Sequence, residues 1–87
     1  MKVMACPIEV ISYTDIKGEV RPLRLRLQIN DEPLKVIKID KVISKESEKF
    51  AGNPMIKFTC MCSEGDMERI FEIKYERNTC KWILYKM

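Results

Sequence analysis

Leu23-Arg24-Leu25-Arg26-Leu27-Gln28-Ile29 is the stretch whose reading decides the fold. Apolar side chains stand at every odd position, and charged or polar ones lie between them. Side chains alternate across a β-strand with a period of two, so this run predicts a strand with one face out of water and one face in it. A helix would scatter the same leucines around its circumference.

The same period recurs along the chain. Ile37 and Ile39 alternate with Lys38 and Asp40. Ile56, Phe58, Cys60 and Cys62 stand opposite Lys57, Thr59 and Met61. Phe71, Ile73 and Tyr75 stand opposite Glu72, Lys74 and Glu76, and Cys80, Trp82 and Leu84 opposite Lys81, Ile83 and Tyr85. The first strand, roughly Ile8 to Tyr13, is apolar on both faces, so its orientation is left open. Turn formers separate the runs at Asp15–Gly18, Asn30–Pro33, Ser63–Asp66 and Arg77–Thr79. Connections this short make neighbouring strands antiparallel. The longer Ser44–Pro54 stretch is charged and ends in Gly52-Asn53-Pro54. It is expected to cross between sheet edges, with room for one helical turn over Glu46–Phe50.

Matching apolar faces gives a register. It pairs Ile73 with Trp82, Phe71 with Leu84 and Tyr75 with Cys80, then Phe58 with Phe71 and Ile56 with Ile73. On the outer face this sets Lys57 against Glu72. Leu27 meets Ile37 and Leu25 meets Ile39, which sets Arg26 against Lys38. Six short strands need their edges covered, and curling does this with least chain. The expectation is therefore all-β: about six antiparallel strands in a small SH3-like or related barrel, or a strongly curled meander. Pro22 has no amide hydrogen, which places it at an edge or a bulge.

The chain has 87 residues, which suits one domain over 1–87. Apolar residues make up 46% and charged residues 33%, a globular composition rather than a disordered one. The net charge of +3 is weak for a dedicated nucleic-acid binder, but it is not evenly spread. Arg21–Lys45 carries net +4, while the flanking segments are near neutral. Met1–Pro7 lacks the unbroken apolar run of a signal peptide, and no stretch is apolar enough for a membrane span. The expected location is cytoplasmic, where the four cysteines stay reduced.

Cys60-Met61-Cys62 resembles a metal motif only at first sight. On a strand its thiols point to one face about 7 Å apart, without the loop spacing that lets zinc ligands converge. There is no histidine, so a cysteine or serine nucleophile has no customary base. The three glycines are too far apart for a phosphate-binding loop. These absences imply no enzyme, no cofactor and no metal.

Two binding roles are left. Ile11, Ile70, Ile83 and Tyr85 are apolar yet fall on outward positions, which suits a protein partner or a second copy in a homodimer. The alternative is nucleic acid on a basic outer face, with Arg24, Arg26 and Lys38 contacting phosphates and Tyr85 stacking on a base.

Tyr13-Thr14-Asp15-Ile16-Lys17-Gly18-Glu19-Val20-Arg21-Pro22-Leu23, Val36–Ile43 and Thr79–Lys86 together resemble a family of small uncharacterised bacterial β-domain proteins. The resemblance implies a compact β domain and carries no activity, ligand or site residue. A looser likeness to a small bacterial domain encoded near DNA-repair polymerases points, by analogy, toward nucleic acid.

Overall fold

A computed structural model describes residues 1–28 and 30–87, with residue 50 described by its backbone alone. The strands are β1 (Val3–Thr14), β2 (Val20–Leu27), β3 (Lys35–Lys38), β4 (Lys41–Phe50), β5 (Asn53–Glu64), β6 (Met67–Glu76) and β7 (Lys81–Lys86). Every pairing is antiparallel, in the order β3-β2-β1-β7-β6-β5-β4.

The two outermost strands are consecutive in the chain, and this curls the sheet on itself. At their junction Ile39 N–H donates to Leu23 O of β2, and the next amide, Asp40 N–H, donates to Met61 O of β5. β3 and β4 are thus one extended segment, bent at Ile39–Asp40, that joins the two sides of the sheet. Counted that way the barrel has the six strands expected. The first and last strands close the other side, with Lys2 and Met87 exchanging backbone hydrogen bonds.

The buried face is the one that alternation assigns. Leu25, Leu27, Ile37, Ile39, Ile56, Phe58, Cys60, Cys62, Phe71, Ile73, Trp82 and Leu84 form one core. Met4, Cys6, Ile8 and Val10 pack against it, which settles the orientation of the first strand. Burying each large apolar side chain contributes about 1.5–3 kcal/mol, and the ten of them in this core, with the two cysteines, hold the sheet curled.

Three details correct the expected register, each by two residues, a shift that preserves the faces. Phe58 opposes Ile73 and Cys60 opposes Phe71, because the β5–β6 turn is the pair Gly65-Asp66, with Gly65 at φ +62°. Ile73 opposes Leu84 and Tyr75 opposes Trp82, because the β6–β7 turn takes in Cys80. Cys80 sits at φ +58° and donates its amide to Glu76 O, so it is an exposed turn residue and not an inward strand residue. Leu25 opposes Ile37, which sets Lys38 against Arg24, and Lys57 lies opposite Lys74.

Two further expectations change. Leu23 is 38% exposed, because it is the extra residue of a bulge: Ile11 opposes Arg24 while Ser12 opposes Pro22. Ile29, the last apolar position of the deciding stretch, lies outside the described residues. Ser44–Phe50 holds no helical turn. It continues β4 into a two-residue hairpin at Ala51-Gly52, both at positive φ as such a turn requires.

Candidate binding surfaces

Past the Ile39–Asp40 bend, β2 and β4 face each other without pairing, and the sheet opens as a wedge-shaped cleft. Three hollows mark it. One of about 380 Å³ is lined by Arg21, Pro22, Leu23, Ile39, Lys41 and Val42 among others. The next, about 240 Å³, has Tyr13, Val20, Arg21, Val42, Lys45 and Phe58 in its wall. The widest, about 450 Å³, reaches from the Thr14–Val20 turn to Lys45, Ser47, Ile56 and Tyr75. Lys45 crosses the cleft to pair with Glu19, and its ammonium lies 5.7 Å from the Phe58 ring centroid.

The two walls of the cleft differ in what their backbones offer. In the β4–β5 hairpin the two-residue turn makes Phe50 and Asn53 a hydrogen-bonded pair, and such pairs then alternate along the ladder. Ser44, Glu46 and Glu48 therefore spend their backbone groups on β5. Lys45, Ser47 and Lys49 aim theirs into the cleft. The same alternation in the next hairpin has Pro54 O accept from Arg77 N–H, on the side away from β4. On the opposite wall, Asp15 N–H donates to Glu19 O, which makes Ser12–Pro22 a non-bonded pair. The missing amide hydrogen of Pro22 therefore falls on the cleft side, so β2 is blunted there. β4 keeps live donors and acceptors.

A second surface lies on the corner of β1, β2, β3 and β4. Arg24 directly opposes Lys38, Tyr13 opposes Arg21, and Ile11 opposes Arg24. Arg21 and Lys41 share one hollow, which Asp40 also lines. Among the described residues, none of Arg21, Arg24, Lys38 and Lys41 forms an ion pair, whereas Arg26 pairs with Glu9. Tyr13 is 58% exposed.

The residues singled out from sequence are partly brought together. Arg24 and Lys38 are neighbours, and Arg26 lies beside them but is neutralised. Tyr85 is elsewhere: β1 separates its strand from β2, and the Lys74 ammonium caps its ring at 3.8 Å. Ile11 (62% exposed) and Ile70 (48% exposed) are open, and Ile83 and Tyr85 are half-buried. Ile83 opposes Pro7, four residues or about 13 Å along β1 from Ile11. Ile70 opposes Met61, beyond the end of β7. These four are spread over the outer surface rather than gathered in one patch.

The two thiols of β5 serve packing. Cys60 and Cys62 are buried in the core, and burial together with the neighbouring Cys62 pushes the Cys60 thiol up to about 12. Burial also raises Cys62. Among the described residues no three potential metal ligands cluster. Glu64 is held below the usual carboxylate range by Lys35 and then Arg69, and Glu76 by the Thr79 hydroxyl and the Asn53 amide. Both carboxylates are thus engaged in holding strands and turns.

Sequence reading missed Tyr13, Arg21 and Lys41 as members of the corner, and β4 as an edge. Tyr13 and Arg21 stood in the sequence within ten residues of Leu23, but only the β1–β2 register opposes them. Comparison with known proteins finds no matching family model, no similar curated protein and no similar solved structure.

Proposed function

We propose that this domain is a non-enzymatic protein-interaction module that takes up an extended segment of another protein along the free edge of β4. The observation that carries this reading is the row of unpaired backbone groups at Lys45, Ser47 and Lys49, facing an open cleft beside a blunted β2. Such an edge accepts an added strand through main-chain hydrogen bonds. The side chains select the partner. Lys45, Ser47 and Lys49 share the face of Phe58 and Ile56, while Glu46 and Glu48 are already matched by Lys57 and Lys74 on the other face. A complementary strand therefore carries an acidic residue opposite Lys49, and a second opposite Lys45 that takes the place of Glu19 as its partner.

A second copy of β4 is a poor partner. Lys45-Glu46-Ser47-Glu48-Lys49 reads the same in both directions. A two-fold pairing centred on Ser47 opposes Lys45 to Lys49 and Glu46 to Glu48. Centring on any other residue of the segment opposes that charge to itself. Directly opposed like charges are destabilising across strands, so the pattern guards this edge against its own kind. A homodimer, if formed, uses another surface.

Ser47→Pro tests the reading. The Ser47 amide takes no part in the β5 ladder, so proline removes a cleft-facing donor while sparing the fold. The probe is a short Thr/Val peptide with glutamates at the Lys45–Lys49 spacing, followed by fluorescence anisotropy and amide exchange. Saturable binding that protects the Lys45, Ser47 and Lys49 amides and is lost in a folded Ser47→Pro variant is expected. Unchanged exchange at those amides with peptide in excess, or equal binding by the variant, would overturn it.

A further inference from the structure

From the corner formed by β1, β2, β3 and β4 we infer a binding surface for single-stranded nucleic acid, which adjoins the cleft at Tyr13, Arg21 and Lys41 and does not use the free backbone groups of Lys45, Ser47 and Lys49. Arg21, Arg24, Lys38 and Lys41 supply the phosphate contacts, and Tyr13 supplies the stacking platform.

The first support is an unneutralised cluster. Six cations are paired with carboxylates: Arg26 with Glu9, Lys35 and Arg69 with Glu64, Lys45 with Glu19, and Lys57 and Lys74 with Glu48. Among the described residues Lys2, Lys17, Lys49, Arg77, Lys81 and Lys86 form no ion pair either, so what marks the corner is the gathering of its cations and not their lack of partners alone. At the corner the protein leaves four cations without a partner among the described residues, and it opposes two of them, Arg24 and Lys38, directly across a strand pair. That opposition destabilises the free domain, and bound phosphate removes the repulsion. The second support is the composition around the cations. Tyr13 opposes Arg21 and is well exposed, without the lysine cap that covers Tyr85, and Ile11 and Leu23 are exposed beside it. Cations interleaved with an open ring and apolar side chains suit a strand whose phosphates and base faces are both accessible, as in single-stranded ligands. An acidic peptide would use the cations and leave Tyr13 and Ile11 idle. A duplex would hide its base faces from the ring.

The test is fluorescence anisotropy with labelled oligo-dT, a matched duplex and polyglutamate as competitor, at 50 and 200 mM salt. Four phosphate contacts to a single strand give a log–log salt slope near −2.8, or about a 50-fold loss of affinity between the two conditions. The Arg24→Gln/Lys38→Gln double variant is expected to halve that slope. It removes a like-charge pair, so its melting temperature should stay level or rise, and weaker binding cannot then be blamed on unfolding. Tyr13→Leu is expected to weaken oligo-dT at least five-fold, whereas Tyr13→Phe keeps affinity. Salt-independent or absent binding overturns the inference, as does binding indifferent to Arg24→Gln/Lys38→Gln or to Tyr13→Leu. Equal competition by polyglutamate or tighter binding of the duplex overturns it as well.

Discussion

Cysteine 60 and cysteine 80 show how far one residue's setting can separate two like side chains. Cys60 is fully buried between β4 and β6, where a thiolate would lose its hydration, and its thiol is accordingly raised to about 12. Cys62, on the same strand and face, is raised by burial too. Cys80 stands in a turn and is exposed, and Cys6 is half-buried at the rim of the core. Only the thiolate attacks an alkylating agent. With iodoacetamide at neutral pH, mass spectrometry should find Cys80 labelled fastest and Cys6 more slowly. Cys60 and Cys62 should react only after denaturant is added. Fast labelling of Cys60 or Cys62 in the native protein would mean that the sheet does not close over them.

At the scale of strands, alternation identified the buried face almost everywhere, but it was blind to register. A two-residue slip keeps every side chain on its face, so matching apolar residues across a hairpin cannot detect it. What sets the register is the turn, and the positive φ of Gly65 and of Cys80 moved it in two hairpins. β4 was illegible for a different reason. Ser44 to Lys49 carries no apolar alternation, because its inner face lines an open cleft and its outer face is held by charge. There Glu48 lies 3.6 Å from Lys57 and 3.1 Å from Lys74, two lysines directly opposed on β5 and β6. Glu46 reaches Lys57 as well and is the chief cause of that lysine's raised pKa. Glu48→Gln should leave the two lysines repelling each other and destabilise the domain by about 0.5–1 kcal/mol, by the usual worth of cross-strand charge pairs. Salt screens such contacts, so urea melts of the variant and the parent should converge as sodium chloride is raised. A difference that persists in high salt would assign the effect to packing of the half-buried Glu48 side chain.

For the whole molecule, closure rests on one short piece of chain, since β3 pairs with β2 over only Lys35–Lys38 before the bend hands the segment to β5. Glu64 at the end of β5 ties that piece down from the other side: Lys35 of β3 donates to it at 3.0 Å and Arg69 of β6 at 3.1 Å. These two cations favour the charged carboxylate, so its pKa in the folded protein lies below the value of 4.5 it has without them. A carboxyl whose pKa is depressed by folding contributes stability above its unfolded pKa, and that contribution is lost as pH falls through the folded value. Glu76, depressed by Thr79 and Asn53 at the β6–β7 turn, acts with the same sign. The melting temperature should therefore hold between pH 8 and 5 as far as these two groups set it, and drop as the pH goes below about 4.5. Glu64→Gln cannot ionise. It should melt lower than the parent at pH 7 and approach it in acid, with the gap narrowing below pH 4.5. Because the contact joins β3 to β5, amide exchange at Ile39 and Asp40 should quicken in the same variant, ahead of the amides of Phe71 and Ile73 in the middle of the sheet. A constant gap in melting temperature across that range would mean that Glu64 holds the closure by hydrogen-bond geometry alone, independent of its charge.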